Sequence, residues 1–252
     1  MDTGDDGSYE VDGVRIAPQP PRRNRGAPAP PRQDSEGSVP ADPSGSSGQE
    51  GDGGAGGIIE VSQSALDRLQ NFEYQDHTAD VIVHAWGEDL KGAFESACVG
   101  MFNYMTDLTR VETRDVRAIN AKGHDLKDLL FHLLDECLFL YGSEYFVCRA
   151  VEIVSSDFSG ENGKFRVDAR GYGETFCRER HSQGTEIKAI TMHEMNILLR
   201  GAAVEGVDPG LGVGEGVSVD PPGEKEGGGV EAEQNGGSSA QHPAEVWVLV
   251  DI

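Results

Sequence analysis

Apolar residues in the middle of the chain recur at intervals of three and four positions in two segments. This spacing places them on one face of a helix, so it predicts amphipathic helices over residues 88–106 and 125–142. Asp125 stands where the second helix needs an N-cap. The apolar positions are Leu90, Phe94, Ala97, Cys98, Met101, Phe102 and Met105 in the first segment, and Leu126, Leu130, Leu133, Leu134, Cys137, Leu138 and Tyr141 in the second.

Other segments alternate between apolar and polar positions, which is typical of strands with one buried face. From Phe72 the sequence is strand-like, and Val81, Val83 and Ala85 then form one face of an alternating run. Further strands are predicted at 110–121, 146–156, 164–170, 172–180, 185–198 and 245–250, with a hairpin turn at 159–163. The predicted fold class is α+β: two layers, in which a mostly antiparallel sheet of six to seven strands is covered by two helices.

Composition separates two segments from this domain. All twelve prolines lie outside 61–200, and twelve of the 34 glycines lie in 1–60 and another twelve in 201–243. Such sequence buries too little apolar area to offset the entropy of ordering it. We therefore predict a disordered tail over 1–65 and a domain over 66–252 that is interrupted by a low-complexity insertion at 200–243. Loop closure costs only about 0.6 kcal/mol per doubling of length, so a final strand can still pair after the insertion.

The net charge of −23 limits the kinds of partner. Nucleic-acid affinity depends on Lys and Arg displacing counterions from phosphates, so direct nucleic-acid binding by the domain is not expected. A basic protein or a divalent cation is compatible with this charge. Arg22, Arg23, Arg25 and Arg32 form a basic cluster among prolines. We interpret it as a flexible arm, with nuclear targeting or loose RNA contact as the alternative.

The four cysteines have no CxxC spacing, and buried thiols in a reducing compartment are favoured over disulfides. The acidic N-terminal sequence lacks the positive charge and apolar stretch of a signal peptide. No window reaches the roughly 18 consecutive apolar residues of a membrane span. The expected location is intracellular, in the cytoplasm, the nucleus or both.

Two places carry candidate chemistry. Asp76, His77 and Asp80 lie within five residues just before a buried strand and offer oxygen and imidazole ligands, although a turn held by side-chain hydrogen bonds is an alternative. At the end of the chain an apolar strand runs into Asp251 and Ile252.

Because the sequence stays hydrophobic up to its last residue, we expect this terminus to be docked. Its side-chain and α-carboxylates would then need a cation or several donors. Oxygen clusters of this kind suit Ca²⁺ or Mg²⁺. Glu186 and Lys188 alternate on one predicted strand face, where they form a cross-strand ion pair or where Lys188 contacts an anion or a partner.

Several motifs, in order along the chain, resemble the archease family. They span about 72–198 and 244–252. The long N-terminal tail and the insertion before the last strand depart from the family pattern. The motifs are Phe72-Glu73-Tyr74-Gln75-Asp76-His77-Thr78-Ala79-Asp80-Val81, His84-Ala85-Trp86-Gly87, Ala93-Phe94, the segment from Leu129 to Glu136, the segment from Gly184 to Thr191, and Val250-Asp251-Ile252.

The resemblance implies a protein that is not itself catalytic. It implies an activator of the RtcB-type tRNA-splicing RNA ligase, which uses GTP and manganese; the activator promotes guanylylation of the ligase and its repeated turnover. It also implies a divalent-metal site built from Asp80, Asp251 and Ile252, with Ca²⁺ favoured and Mg²⁺ or Mn²⁺ as alternatives. Asp76, His77, Glu186 and Lys188 would support this site or face the ligase.

Two other functions stay open from the residues alone. The first is a stand-alone metal-dependent hydrolase or nucleotidyl enzyme that uses Asp80 and Asp251. The second is a chaperone-like adaptor in which the metal is purely structural.

Overall fold

The computed structural model describes residues 58–160, 164–200 and 242–252. It also assigns an antiparallel pair of strands, β1 (Tyr9–Val11) and β2 (Val14–Ile16), and a strand β10 (Val217–Asp220). The rest of the predicted tail and insertion, with residues 161–163 of the predicted hairpin turn, lies outside the described residues.

The first sheet pairs strands from both ends of the range 72–252. Its strands are β3 (Phe72–His77), β4 (Asp80–Gly87), β8 (Ala189–Ile190), β9 (Asn196–Arg200), β10 and β11 (Ala244–Asp251). Their order is β10-β9-β11-β4-β3, and β8 pairs with β11 beyond the end of β9. All pairs are antiparallel except β10 with β9. The last strand of the chain therefore lies inside this sheet and not at its edge.

The second sheet has three antiparallel strands in the order β5-β7-β6: β5 (Asp115–Gly123), β6 (Phe146–Asp157) and β7 (Phe165–Thr175). The α+β class and the antiparallel pairing are thus confirmed, but the strands are divided between two sheets instead of forming one. Alternation fixes which face of a strand is buried. It does not fix which strand edges join, and this is why the sequence suggested a single sheet.

Within the described residues, three α-helices complete the domain: α1 (Gln63–Asp67), α2 (Leu90–Met105) and α3 (Leu126–Glu144). Asp89 caps α2 by accepting from Gly92 N at 2.7 Å, and Asp125 caps α3 by accepting from Asp128 N at 2.8 Å. Helix α2 packs against β4 and β11 of the first sheet and β6 of the second, while α3 packs mainly on β5. The two predicted helices therefore join the two sheets through a common core.

Three predicted strands are shorter in the structure. The chain makes a 3₁₀ turn over Leu108–Arg110 before β5 begins, and β7 ends at Thr175. Within 176–198 only β8 and part of β9 are strands. The intervening backbone bonds elsewhere: Gly184 N donates to Met105 O at 2.8 Å and Thr185 N to Tyr104 O at 3.2 Å. The free carbonyls at the end of α2 thus take the place of a strand partner.

Packing begins before the predicted boundary at residue 66. Ile59 N donates to Thr113 O at 2.7 Å, and Thr113 Oγ1 donates back to Ile59 O at 2.8 Å. Ile59 and Val61 pack on a small cluster formed by Val116, Ala118 and Tyr172. Residues 58–65 are therefore attached to the second sheet.

All four cysteines are free thiols, and Cys98, Cys137 and Cys148 are buried, as predicted. None of the helices in the described ranges is both long enough and apolar enough to cross a membrane.

Candidate functional site at the end of the first sheet

Three of the predicted site residues form one row across the first sheet. Asp251 of β11 lies directly opposite Asp80 of β4, and Asp80 lies opposite His77 of β3. Directly opposed residues project from the same face of an antiparallel pair, with Cβ atoms about 5 Å apart. Strand pairing therefore brings together two carboxylates that are 171 positions apart in the sequence.

The chain terminus is anchored beside this row. Lys188 N donates to Asp251 O at 2.8 Å, and Lys188 Nζ donates to the main-chain oxygen of Ile252 at 2.7 Å. The Ile252 side chain packs partly buried against the core. The terminus is thus docked, as its apolar sequence predicted.

His77 closes the row on the side of β3. Its Nδ1 lies 3.6 Å from Asp80 Oδ2, and its Nε2 lies 3.6 Å from Glu194 Oε2. Both distances exceed those of a hydrogen bond. Nδ1 is buried and has no hydrogen-bond partner among the described residues. A buried ring nitrogen without a partner is unusual in a folded domain.

The backbone around the row is constrained. Ala79, in the turn between β3 and β4, has φ 66°, and Glu194, beside His77, has φ 56°. Residues with a side chain enter this left-handed region at a cost, and such residues often cluster at functional sites. Strand β4 begins immediately after Ala79, and β9 begins two residues after Glu194, so both residues lie at the entry to a strand.

The two carboxylates have few compensating partners. The Asp80 side chain is 28 % exposed and the Asp251 side chain 51 % exposed. Lys188 Nζ lies 4.0 Å from Asp251 Oδ1, and no hydrogen bond to either carboxylate occurs among the described residues. Glu194 adds further negative charge at this end of the sheet.

The chemistry of these donors fits a hard cation. Asp80, Asp251 and the terminal carboxylate are oxygen ligands of the kind that Ca²⁺ and Mg²⁺ take. In the described part of the chain, no group of three or more His, Cys, Asp or Glu side chains could hold a metal ion. The expected ligand set contains only two such side chains and takes its third oxygen donor from the chain terminus. Metal ligation by this set stays a prediction.

Of the other predicted site residues, Lys188 lies beside the row, whereas Asp76 and Glu186 do not. Asp76 is opposite Val81, whose side chain faces the core, so Asp76 is on the other face of β3 from His77. Glu186 and Lys188 do not share a strand face, since 183–188 is irregular. Lys188 contacts the terminus, whereas Glu186 lines a cavity beside Tyr141. No sequence pattern indicated Glu194, which approaches His77 from a turn far along the chain.

Comparison with known proteins agrees with the sequence motifs. The sequence model of the archease protein family matches residues 72–205. A protein named archease-like from Drosophila melanogaster is 50 % identical over 128 residues, which cover 50 % of this chain and 80 % of that protein. A protein of the same name from Dictyostelium discoideum is 46 % identical over 135 residues, which cover 52 % of this chain and 87 % of that protein.

A solution structure of protein 1598 from Methanobacterium thermoautotrophicum has 31 % sequence identity and a TM-score of 0.42, and the match covers 50 % of this chain and 86 % of that one. On the extent of the family match and the identity to the Drosophila and Dictyostelium proteins, the chain belongs to the archease family.

Proposed function

We propose that this protein is a non-catalytic activator of an RtcB-type, GTP-dependent RNA ligase in tRNA splicing, and that it promotes guanylylation and repeated turnover of the ligase. The observation that carries the proposal is the pairing of Asp251 with Asp80, with the chain terminus held beside them. The proposed place of action is intracellular, where the ligase would act.

The site residues support an ion-binding role over catalysis. Asp80, Asp251 and the Ile252 carboxylate would hold a divalent ion, Ca²⁺ in the first instance and Mg²⁺ or Mn²⁺ as alternatives. Such an ion would neutralise the carboxylates and link the start of β4 to the end of β11. The row of carboxylates, with His77 and Glu194 on one side and Lys188 on the other, would then face the partner.

A guanylylation assay of the ligase tests the proposal. The full chain should increase the rate of ligase guanylylation, and Asp251→Asn should remove most of this increase. Asp115→Asn is the matched control, because Asp115 is an exposed aspartate at the start of a strand in the other sheet. It should leave the stimulation unchanged. Equal stimulation by both variants would contradict a role for the site.

An incubation of the chain without the ligase tests the alternative of a stand-alone enzyme. Incubated alone with RNA and GTP, the chain should produce no hydrolysis or nucleotidyl transfer. Activity that required Asp80 and Asp251 in the absence of the ligase would identify the protein as an enzyme instead.

A further inference from the structure

A second concave site lies at the C-terminal end of α3. It is a cavity of about 400 Å³, and its walls include the rings of Tyr141, Tyr145 and Phe176. This volume lies within the range of ligand pockets, about 300–1,000 Å³. None of Asp80, Asp251 and Ile252 lines it.

The aromatic wall is displayed by a fixed backbone. Tyr145 is 60 % exposed and has φ 54°, which ends α3. Its amide donates to Tyr141 O at 2.8 Å, and its carbonyl accepts from Phe176 N at 2.7 Å. The ring centroids of Tyr141 and Tyr145 are 6.0 Å apart with the planes at 79°. Two faces of the cavity are therefore aromatic and nearly perpendicular.

The interior of the cavity favours positive charge. Glu186 lines it and has no hydrogen bond or ion pair within the described ranges. Burial raises the pKa of Tyr141, and the negative charge of Glu186 raises it further. The carbonyl groups at the end of α3 also give this end of the helix a partial negative charge.

One cationic side chain opposes the negative charge of the cavity. Arg178 also lines the cavity, is exposed, and has no ion pair among the described residues. It does not pair with Glu186 across the cavity. Its effect on a bound ligand therefore depends on the sign of the ligand's charge, and this makes Arg178 a useful probe.

We propose that this cavity binds an arginine side chain presented by a protein partner. A guanidinium group is planar, so it stacks on tyrosine and phenylalanine rings while its N–H groups pair with a carboxylate such as that of Glu186. The net negative charge of the chain also favours a partner with a basic surface, since opposite charges across an interface attract. The cavity does not share residues with the carboxylate row, so this inference stands or fails apart from the ligase proposal.

The test is an NMR titration of the full chain with the peptide acetyl-Gly-Gly-Arg-Gly-Gly-amide, following the amides of Tyr145 and Gly184. A single side chain should bind with a dissociation constant on the order of 1 mM. The lysine peptide should bind several-fold more weakly, since an ammonium group cannot stack. The glutamate peptide should not bind.

Three variants should change peptide binding in different, predictable directions. Glu186→Gln should weaken arginine-peptide binding about tenfold, whereas Arg178→Ala should strengthen it about threefold. Tyr145→Leu should abolish the preference for arginine over lysine. Glu179→Gln, an exposed carboxylate outside the cavity, is the matched control and should change nothing. Weakening by both Glu186→Gln and Arg178→Ala, or preference for the glutamate peptide, would overturn the proposal.

Discussion

The buried carboxylates of this domain and those at the end of the first sheet differ in how many hydrogen-bond donors and cations contact them. Glu95 accepts from Ile153 N at 2.8 Å and from Arg68 Nε at 3.1 Å. Glu174 accepts from Glu112 N at 2.9 Å, and its oxygens also contact Arg180 and His181. Among the described residues, Asp80 and Asp251 have only the longer contacts to His77 and Lys188.

The difference separates two uses of the same functional group. A carboxylate taken out of water needs donors, so the partners of Glu95 and Glu174 are a condition for folding. Glu95 links α1 and its following turn to α2 and to β6 in this way. The lone pairs of Asp80 and Asp251 stay available, and this is the state that ion binding requires.

The largest expected effect is a loss of folding stability when a buried carboxylate is removed. It tests the difference between the buried carboxylates and those of the row. Glu95→Ala should lower the free energy of unfolding by about 3–5 kcal/mol, because it leaves the Ile153 amide and the largely buried Arg68 side chain unpaired. Urea denaturation measures the change. Asp80→Ala is the control and should change stability by no more than about 0.5 kcal/mol. Equal losses for the two variants would remove the distinction between the two sets of carboxylates.

A second prediction concerns pH. Burial alone would raise the pKa of Glu174, but hydrogen bonds from Arg180, the Glu112 amide and His181 outweigh it and hold the pKa below its usual value of 4.5. The unfolded chain therefore binds this proton at higher pH than the folded one, so the stabilisation is present above pH 4.5 and is lost as the pH falls through the folded-state pKa.

Thermal unfolding of the wild type and Glu174→Gln between pH 7 and pH 3 measures this effect. The stability difference between the two proteins should be constant at neutral pH and should narrow on acidification. A difference that stays constant down to pH 3 would contradict the assignment of the stabilisation to the Glu174 charge.

A smaller effect is expected at Lys188. Its side chain adds positive charge next to the carboxylates, and two unit charges 4 Å apart in water interact by about 1 kcal/mol. Lys188→Met should therefore strengthen Ca²⁺ binding several-fold, since the main-chain bond from residue 188 to Asp251 is retained. Calorimetric titration with Ca²⁺ checks this. Weaker binding would mean that the lysine side chain contributes to the site by holding the terminus.

Local patterns predicted the elements of this fold better than their pairing. The two helices and the N-cap Asp125 follow from apolar spacing and capping chemistry, which act over a few residues. The division into two sheets depends on which strand edges meet, and Gly184 and Thr185 bond to the end of α2 instead of to a strand.

The candidate site shows the same limit. Apolar sequence up to Val250 was enough to predict a docked terminus, and the strand register then brings Asp251 to Asp80. The contacts of His77 with Glu194 and of Lys188 with Ile252 join distant segments through irregular backbone. No periodicity in the sequence encodes them.

Calorimetric titration of the full chain with Ca²⁺, with Ile252 either free or extended by Gly-Gly, tests the ion site most directly. The extension converts the terminal carboxylate into an amide and leaves Asp80 and Asp251 unchanged. The account predicts at least about tenfold weaker binding by the extended chain, since it loses one charged oxygen ligand. The same Ca²⁺ affinity for both chains would contradict it.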